Sequence, residues 1–221
     1  MRQISPHLVS RPGKDILEGV DSLVKDGIAD PGQLTVGGYS YGGYLTNWLI
    51  TRTIRFRAAV TGAGAVEHAV NWGNDDLTFD DAWYLGGTPW EAEKNYNDES
   101  AMWRMNEVHT PTHLVVGAKD IRVAAAESYL MERELHTLGV PCTLLVFPGE
   151  GHLLGNNPWH GRIKVSEELK WLDKYSHAKI QHVERPHSKS DGAPNVSTDH
   201  KGRPLRIPAA IPRPSPQQDG A

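Results

Sequence analysis

Apolar positions along this chain change period several times, and each change marks a boundary between elements. Ile16, Leu17, Val20, Leu23 and Val24 recur at helical spacing and predict a helix over 14–25, ended by Gly27 and Pro31. A short β-branched and apolar run from Leu34 predicts a strand over 33–38. Tyr41, Tyr44, Leu45, Trp48 and Leu49 then restore the helical period and predict a helix over 41–53. Further short apolar runs predict strands over 57–61, 112–117 and 142–147, with helices over 123–138 and 158–175. The helix over 123–138 is expected to turn Tyr129, Leu130, Leu135 and Leu138 inward and to stop at Gly139. Strands that alternate with helices predict parallel βαβ units, and so an α/β fold.

Two stretches break this rhythm. Residues 62–110 show no sustained period, although they hold Trp72, Trp83, Trp90 and Trp103 and the acidic group Asp75, Asp76, Asp80 and Asp81. The segment is expected to leave the sheet near one rim; the tryptophans read as core and the aspartates as a solvated loop, and a part in shaping a pocket at that rim is the other reading. From His177 onward there are no aromatic residues, and prolines at 186, 194, 204, 208, 212, 214 and 216 preclude regular structure. The expected organisation is an irregular lead over 1–13, one folded unit over 14–176 and a disordered Pro-rich tail over 177–221.

Composition narrows the function classes. The chain has 221 residues, enough for one domain with an appendage, and 38% of them are hydrophobic. A net charge of −4 gives no electrostatic case for nucleic acid or an anionic membrane surface. No apolar run approaches the ~20 residues needed to span a bilayer, and the start lacks the apolar stretch of a signal peptide. The compartment is left unassigned, with the cytoplasm as default. Cys142 is the single cysteine, so no disulfide can form within the chain, and it reads as strand packing. No Gly-rich phosphate loop or metal-ligand cluster stands out, and no cofactor is expected. His109 and His113 are four apart, but Pro111 between them prevents a shared helical face.

The candidate chemistry begins at Gly38-Tyr39-Ser40-Tyr41-Gly42. A strand, a sharp turn carrying serine and a helix follow one another there, which resembles the nucleophile elbow of the α/β-hydrolases. The turn is expected to be so tight that the residues two before and two after the serine must lack a side chain. Backbone N–H groups and the dipole at the helix start would then favour a developing negative charge. A serine nucleophile needs a base and an orienting acid, in the order Ser, Asp/Glu, His. Asp120 ends the run Thr112–Gly117 plus a short loop, and His152 follows the run Cys142–Phe147. In open α/β sheets functional groups collect at the carboxyl ends of strands, where all three residues would lie. Asp120 read alone is a helix N-cap, and His152 read alone is a solvated loop residue.

These residues resemble the catalytic domain of the prolyl oligopeptidase family of serine peptidases. The marks are Gly-Gly-Tyr-Ser40-Tyr-Gly-Gly-Tyr-Leu-Thr-Asn, Gly117-Ala-Lys-Asp120-Ile-Arg-Val123 and Phe147-Pro-Gly-Glu-Gly-His152. Within the family the spacings are similar to those of the dipeptidyl-peptidase and acylaminoacyl-peptidase branches, over about residues 14–175. The resemblance implies the C-terminal part of an α/β-hydrolase fold, with a mainly parallel sheet flanked by helices. It implies Ser40 as nucleophile, His152 as general base, Asp120 as its orienting acid and the Tyr41 N–H as an oxyanion donor. The Tyr41 ring and Val123 resemble positions that wall the substrate pocket; core packing is the other reading of both.

Family domains open with strands before the elbow strand, usually with a β-propeller, and this chain reads as truncated at its N-terminus. The elbow strand is therefore expected to keep a bare edge through which copies could associate. The family's other oxyanion donor resembles a tyrosine on an early loop that no segment here matches. Three functions stay open: a serine peptidase cutting short peptides through an acyl-enzyme, an esterase or acylaminoacyl hydrolase with the same three residues, and a catalytically impaired fragment. The expected partner is a peptide or acyl-ester substrate.

Overall fold

A computed structural model of the chain describes residues 4–176; the predicted tail over 177–221 lies outside the described residues. Four parallel strands form one sheet in sequence order: β1 (Thr35–Tyr39), β2 (Ala58–Gly62), β3 (Thr112–Gly117) and β4 (Cys142–Phe147). Register runs from Tyr39 opposite Gly62 on one side to Gly117 opposite Phe147 on the other. All four strands point the same way, so their carboxyl ends share one rim. The outer edge of β1 has no partner strand among the described residues.

Helices cover both faces, as a parallel sheet requires. Leu114 packs on one face with Met131 and Leu135 of α6 (Ala125–Thr137) and with Ile50 of α2 (Tyr41–Ile50). Val115 points to the other face, into a smaller cluster with Phe147 and Leu154. That face also carries α7 (Pro158–Ser176), whose Trp171 lies 5.8 Å from the His113 ring. The two-residue alternation of β3 thus feeds two cores, and all six of its residues are buried.

Three expectations need correction. The irregular lead is shorter than predicted, because α1 (Ser10–Lys25) starts at Ser10. Pro12 sits in the first helical turn, where its missing N–H costs nothing. The Glu99 carboxylate caps the free start instead, accepting from Val9 N, Ser10 N and Ser10 Oγ at 2.6–2.8 Å. Tyr129 is exposed, and Met131 takes its place in the core. Residues 62–110 form short helices α3 (His68–Asn74), α4 (Thr78–Leu85) and α5 (Glu93–Glu99), then a 3₁₀ segment over Met102–Glu107. Of their four tryptophans, Trp72 is half-buried and packs against the core as expected, whereas Trp83, Trp90 and Trp103 are exposed.

Candidate active site

The rim of the sheet assembles three side chains from three strands. Ser40 follows β1 directly and is the residue before α2. Its backbone takes φ 58° and ψ −124°, outside the regions that a residue with a side chain prefers. Two bonds hold that turn: Ser40 N donates to Gly62 O at 2.9 Å, and Tyr44 N donates to Ser40 O at 3.1 Å.

The glycines around it divide the work differently from the sequence expectation. A Cβ on Gly38 would fall inside the backbone of Gly42, so Gly38 is required. A Cβ on Gly42 would meet nothing within 4 Å. The second constrained position is Gly43, where a Cβ would lie 2.6 Å from Gly62 O and 2.8 Å from Gly64 Cα. The first turn of α2 is therefore pressed against the loop after β2, which seats Ser40 on the rim.

Asp120 lies in the turn after β3, with its side chain fully buried. Its Oδ1 accepts from Arg122 N at 3.0 Å and Val123 N at 3.1 Å. It is not the N-cap of α6, which is Ala124. Oδ2 faces His152 Nδ1 at 2.8 Å, and His152 Nε2 lies 2.9 Å from Ser40 Oγ. The carboxylate can only accept, so Nδ1 carries the proton and the Nε2 lone pair faces the serine hydroxyl. Hydroxyl, imidazole and carboxylate make one continuous relay across residues 40, 152 and 120.

A cavity of about 260 Å³ opens beside Ser40. Tyr41 and Val123 line it, as do Leu8, Tyr44 and Leu77. Val123 is also buried in the core. The Tyr41 hydroxyl donates to Leu8 O at 2.6 Å, and burial followed by the neighbouring Tyr84 and Glu99 pushes its pKa up to about 12. The backbone N–H of Tyr41 opens α2, where first-turn N–H groups have no intrahelical partner.

Three features escaped sequence reasoning. Asp75 and Asp81 line the cavity and are not a solvated loop: Asn71 Nδ2 lies 2.6 Å from Asp75 Oδ2, 3.0 Å from Asp81 Oδ2 and 3.1 Å from Tyr44 Oη, with two N–H groups to share among them. Burial raises both carboxyls above their ordinary values. The Tyr39 hydroxyl donates to the carbonyl of His152 at 2.7 Å. Glu150, buried in the His152 loop, pairs with His160 Nδ1 at 2.7 Å. Burial opposes its charge, and the bonds from Asn156, His160 and Asn157 outweigh burial and leave its pKa lowered. No three His, Cys, Asp or Glu side chains converge as a metal site among the described residues, and no described helix is long and apolar enough to cross a membrane.

The chain is similar to several known proteins. A probable dipeptidyl-peptidase 5 from Aspergillus clavatus is 34% identical over 143 residues, which is 63% of this chain and 20% of that protein. An acylamino-acid-releasing enzyme from Arabidopsis thaliana is 31% identical over 175 residues, 75% of this chain and 23% of that enzyme. The solved acylaminoacyl peptidase of Pyrococcus horikoshii superposes with a TM-score of 0.74 at 21% identity, covering 81% of this chain and 30% of that one. That likeness extends to the fold, an α/β-hydrolase sheet with flanking helices. The match spans between a fifth and a quarter of the length of these two relatives. Residues 1–179 match the prolyl oligopeptidase family, to which this chain belongs.

Proposed function

We propose that the chain carries the reacting groups of a serine-type peptidase that cuts short peptides through an acyl-enzyme. Ser40 Oγ attacks the substrate carbonyl carbon while His152 Nε2 takes the hydroxyl proton. Asp120 holds the Nδ1–H tautomer and stabilises the imidazolium that forms. The carbonyl oxygen becomes an oxyanion at the Tyr41 N–H, on the start of α2. A single such donor is worth on the order of 10²–10³ in turnover. His152 then gives its proton to the departing amine, leaving Ser40 acylated. Water, deprotonated by the same imidazole, releases the acid and restores the hydroxyl. Tyr41 and Val123 wall the pocket for the residue before the scissile bond.

The observation that carries this reading is the unbroken pair of hydrogen bonds, 2.9 Å and 2.8 Å, linking Ser40 to His152 and His152 to Asp120. A second reading takes the same groups to acylaminoacyl or simple ester substrates, and the name of the Arabidopsis relative favours it. A panel of dipeptidyl, acylaminoacyl and simple ester substrates separates the two, with Ser40→Ala as control. Turnover of dipeptidyl substrates that vanishes in Ser40→Ala supports the peptidase. Turnover confined to esters or acylaminoacyl groups supports the second reading, and turnover that survives Ser40→Ala ends both.

A further inference from the structure

The imidazole of His152 is carried by a loop between β4 and α7, and a loop is a poor place to fix a ring to within a few tenths of an ångström. Three separate attachments hold this one. From the serine side, Tyr39 Oη donates to the backbone carbonyl of His152 itself at 2.7 Å, and the two rings sit 5.6 Å apart. From the aspartate side, Lys119 N donates to Glu150 O at 2.8 Å. There a Cβ on Gly117, the last residue of β3, would lie 2.6 Å from that same oxygen. From the α7 side, the Glu150 carboxylate gathers the rest of the loop. Its Oε2 accepts from Asn156 N at 2.9 Å, and its Oε1 accepts from Asn157 N at 2.8 Å while facing His160 Nδ1.

We propose that Tyr39 and Glu150 are positioning residues that hold the His152 ring between Ser40 and Asp120. The proposal rests on His152 as the base. Tyr39 is the residue immediately before Ser40, so one side chain ties the strand bearing the hydroxyl to the loop bearing the imidazole. Its ring is held in turn by packing against the cluster of Val115, Phe147 and Leu154. Glu150 is 1% exposed, and a buried carboxylate is costly unless its bonds are made. Here they are made to the loop that carries the base. A base must lie within about 2.6–3.2 Å of the proton that it takes. A shift of about 1 Å at His152 would break the bonds to Ser40 and Asp120 together, and misplacements of that size cost up to ~10²-fold in rate.

Tyr39→Phe keeps the ring and deletes the tether. Glu150→Gln keeps the shape and turns one acceptor into a donor facing backbone N–H groups. The test reacts each folded variant with a fluorophosphonate and separates the limiting rate of Ser40 modification from the affinity for the probe. It also follows the His152 Nδ1–H resonance by proton NMR of histidine-labelled chain. The expected result in either variant is a limiting rate about 10- to 100-fold lower, with probe affinity within about twofold. The Nδ1–H signal should broaden or be lost. Leu135→Ala, a core change in α6, is the stability control and should label at the wild-type rate.

Unchanged rates and an unchanged Nδ1–H signal in both variants would overturn the proposal. So would an equal loss of rate in the Leu135→Ala control. A wild-type chain that does not react at Ser40 would instead overturn the nucleophile reading, and the NMR signal alone would then decide whether the two residues position the ring. If one variant does not fold, the other decides.

Discussion

Ser40 holds a backbone conformation that costs a residue with a side chain of order 1–3 kcal/mol, and its surroundings keep it there through Gly62 O and the start of α2. Glycine adopts such angles without that cost. Ser40→Gly should therefore be more stable than the wild type, by about 1 kcal/mol in urea denaturation, while losing all reaction with an acylating probe. A less stable Ser40→Gly would show that the turn is not strained. At Asp120, replacing the carboxylate with an amide leaves the shape and offers a donor to Nδ1. Asp120→Asn should slow acylation by up to ~10⁴-fold, the scale of the wrong-tautomer effect in a serine protease. A change of less than about tenfold in single-turnover kinetics would show that Asp120 does not set the tautomer.

At the scale of elements, the steric contrast between adjacent glycines is open to direct test. Gly43→Ala forces a methyl group to within 2.6 Å of Gly62 O and should destabilise by about 1–3 kcal/mol. Gly42→Ala meets open space and should be neutral or stabilising by up to about 1 kcal/mol, because alanine favours the helix. Thermal or urea unfolding of both variants checks the pair, and equal losses would show that the close approach of α2 to the loop after β2 is relaxed. The sequence motif marks Gly42 and not Gly43, because a pattern records spacing and not which neighbour is close. The strands were readable because buried parallel strands are short apolar runs: β3 and β4 keep their predicted bounds of 112–117 and 142–147. The helices within 62–110 were not, because distant groups hold this region. Val66 N and Glu67 N donate to the Glu127 carboxylate, and His68 N donates to Ser100 Oγ. Glu127 also explains why the inward face of α6 was misread. It is fully buried in place of an apolar residue, and a hydrophobic pattern assigns glutamate to solvent. Ser40, Asp120 and His152 were legible from order and strand ends. Tyr39 was not, since the position before the serine is unrestricted in the motif.

For the whole molecule, buried carboxyls make stability depend on pH. Burial pushes Glu127 up to about 8, against the two backbone N–H bonds that it accepts, with Glu67 and Glu134 adding to the rise. Glu134 is raised to about 7, first by burial and then by Glu67. The folded chain therefore binds protons that the unfolded chain releases near 4.5, the ordinary value. Their contribution is complete below that value and is lost as pH rises towards 8, by at most about 1.4 kcal/mol per pH unit for each group. Urea stability should fall between about pH 5 and pH 8, and Glu127→Gln should flatten the slope. An equal slope in that variant would assign the loss to other groups. The claim on which the functional account stands is that one hydroxyl of this molecule is activated by its imidazole partner. Intact-mass analysis of the folded chain after fluorophosphonate treatment tests it most directly. The account predicts a single adduct, mapped to Ser40 and absent from Ser40→Ala; folded wild-type chain that stays unmodified, or an adduct that persists in Ser40→Ala, would contradict it.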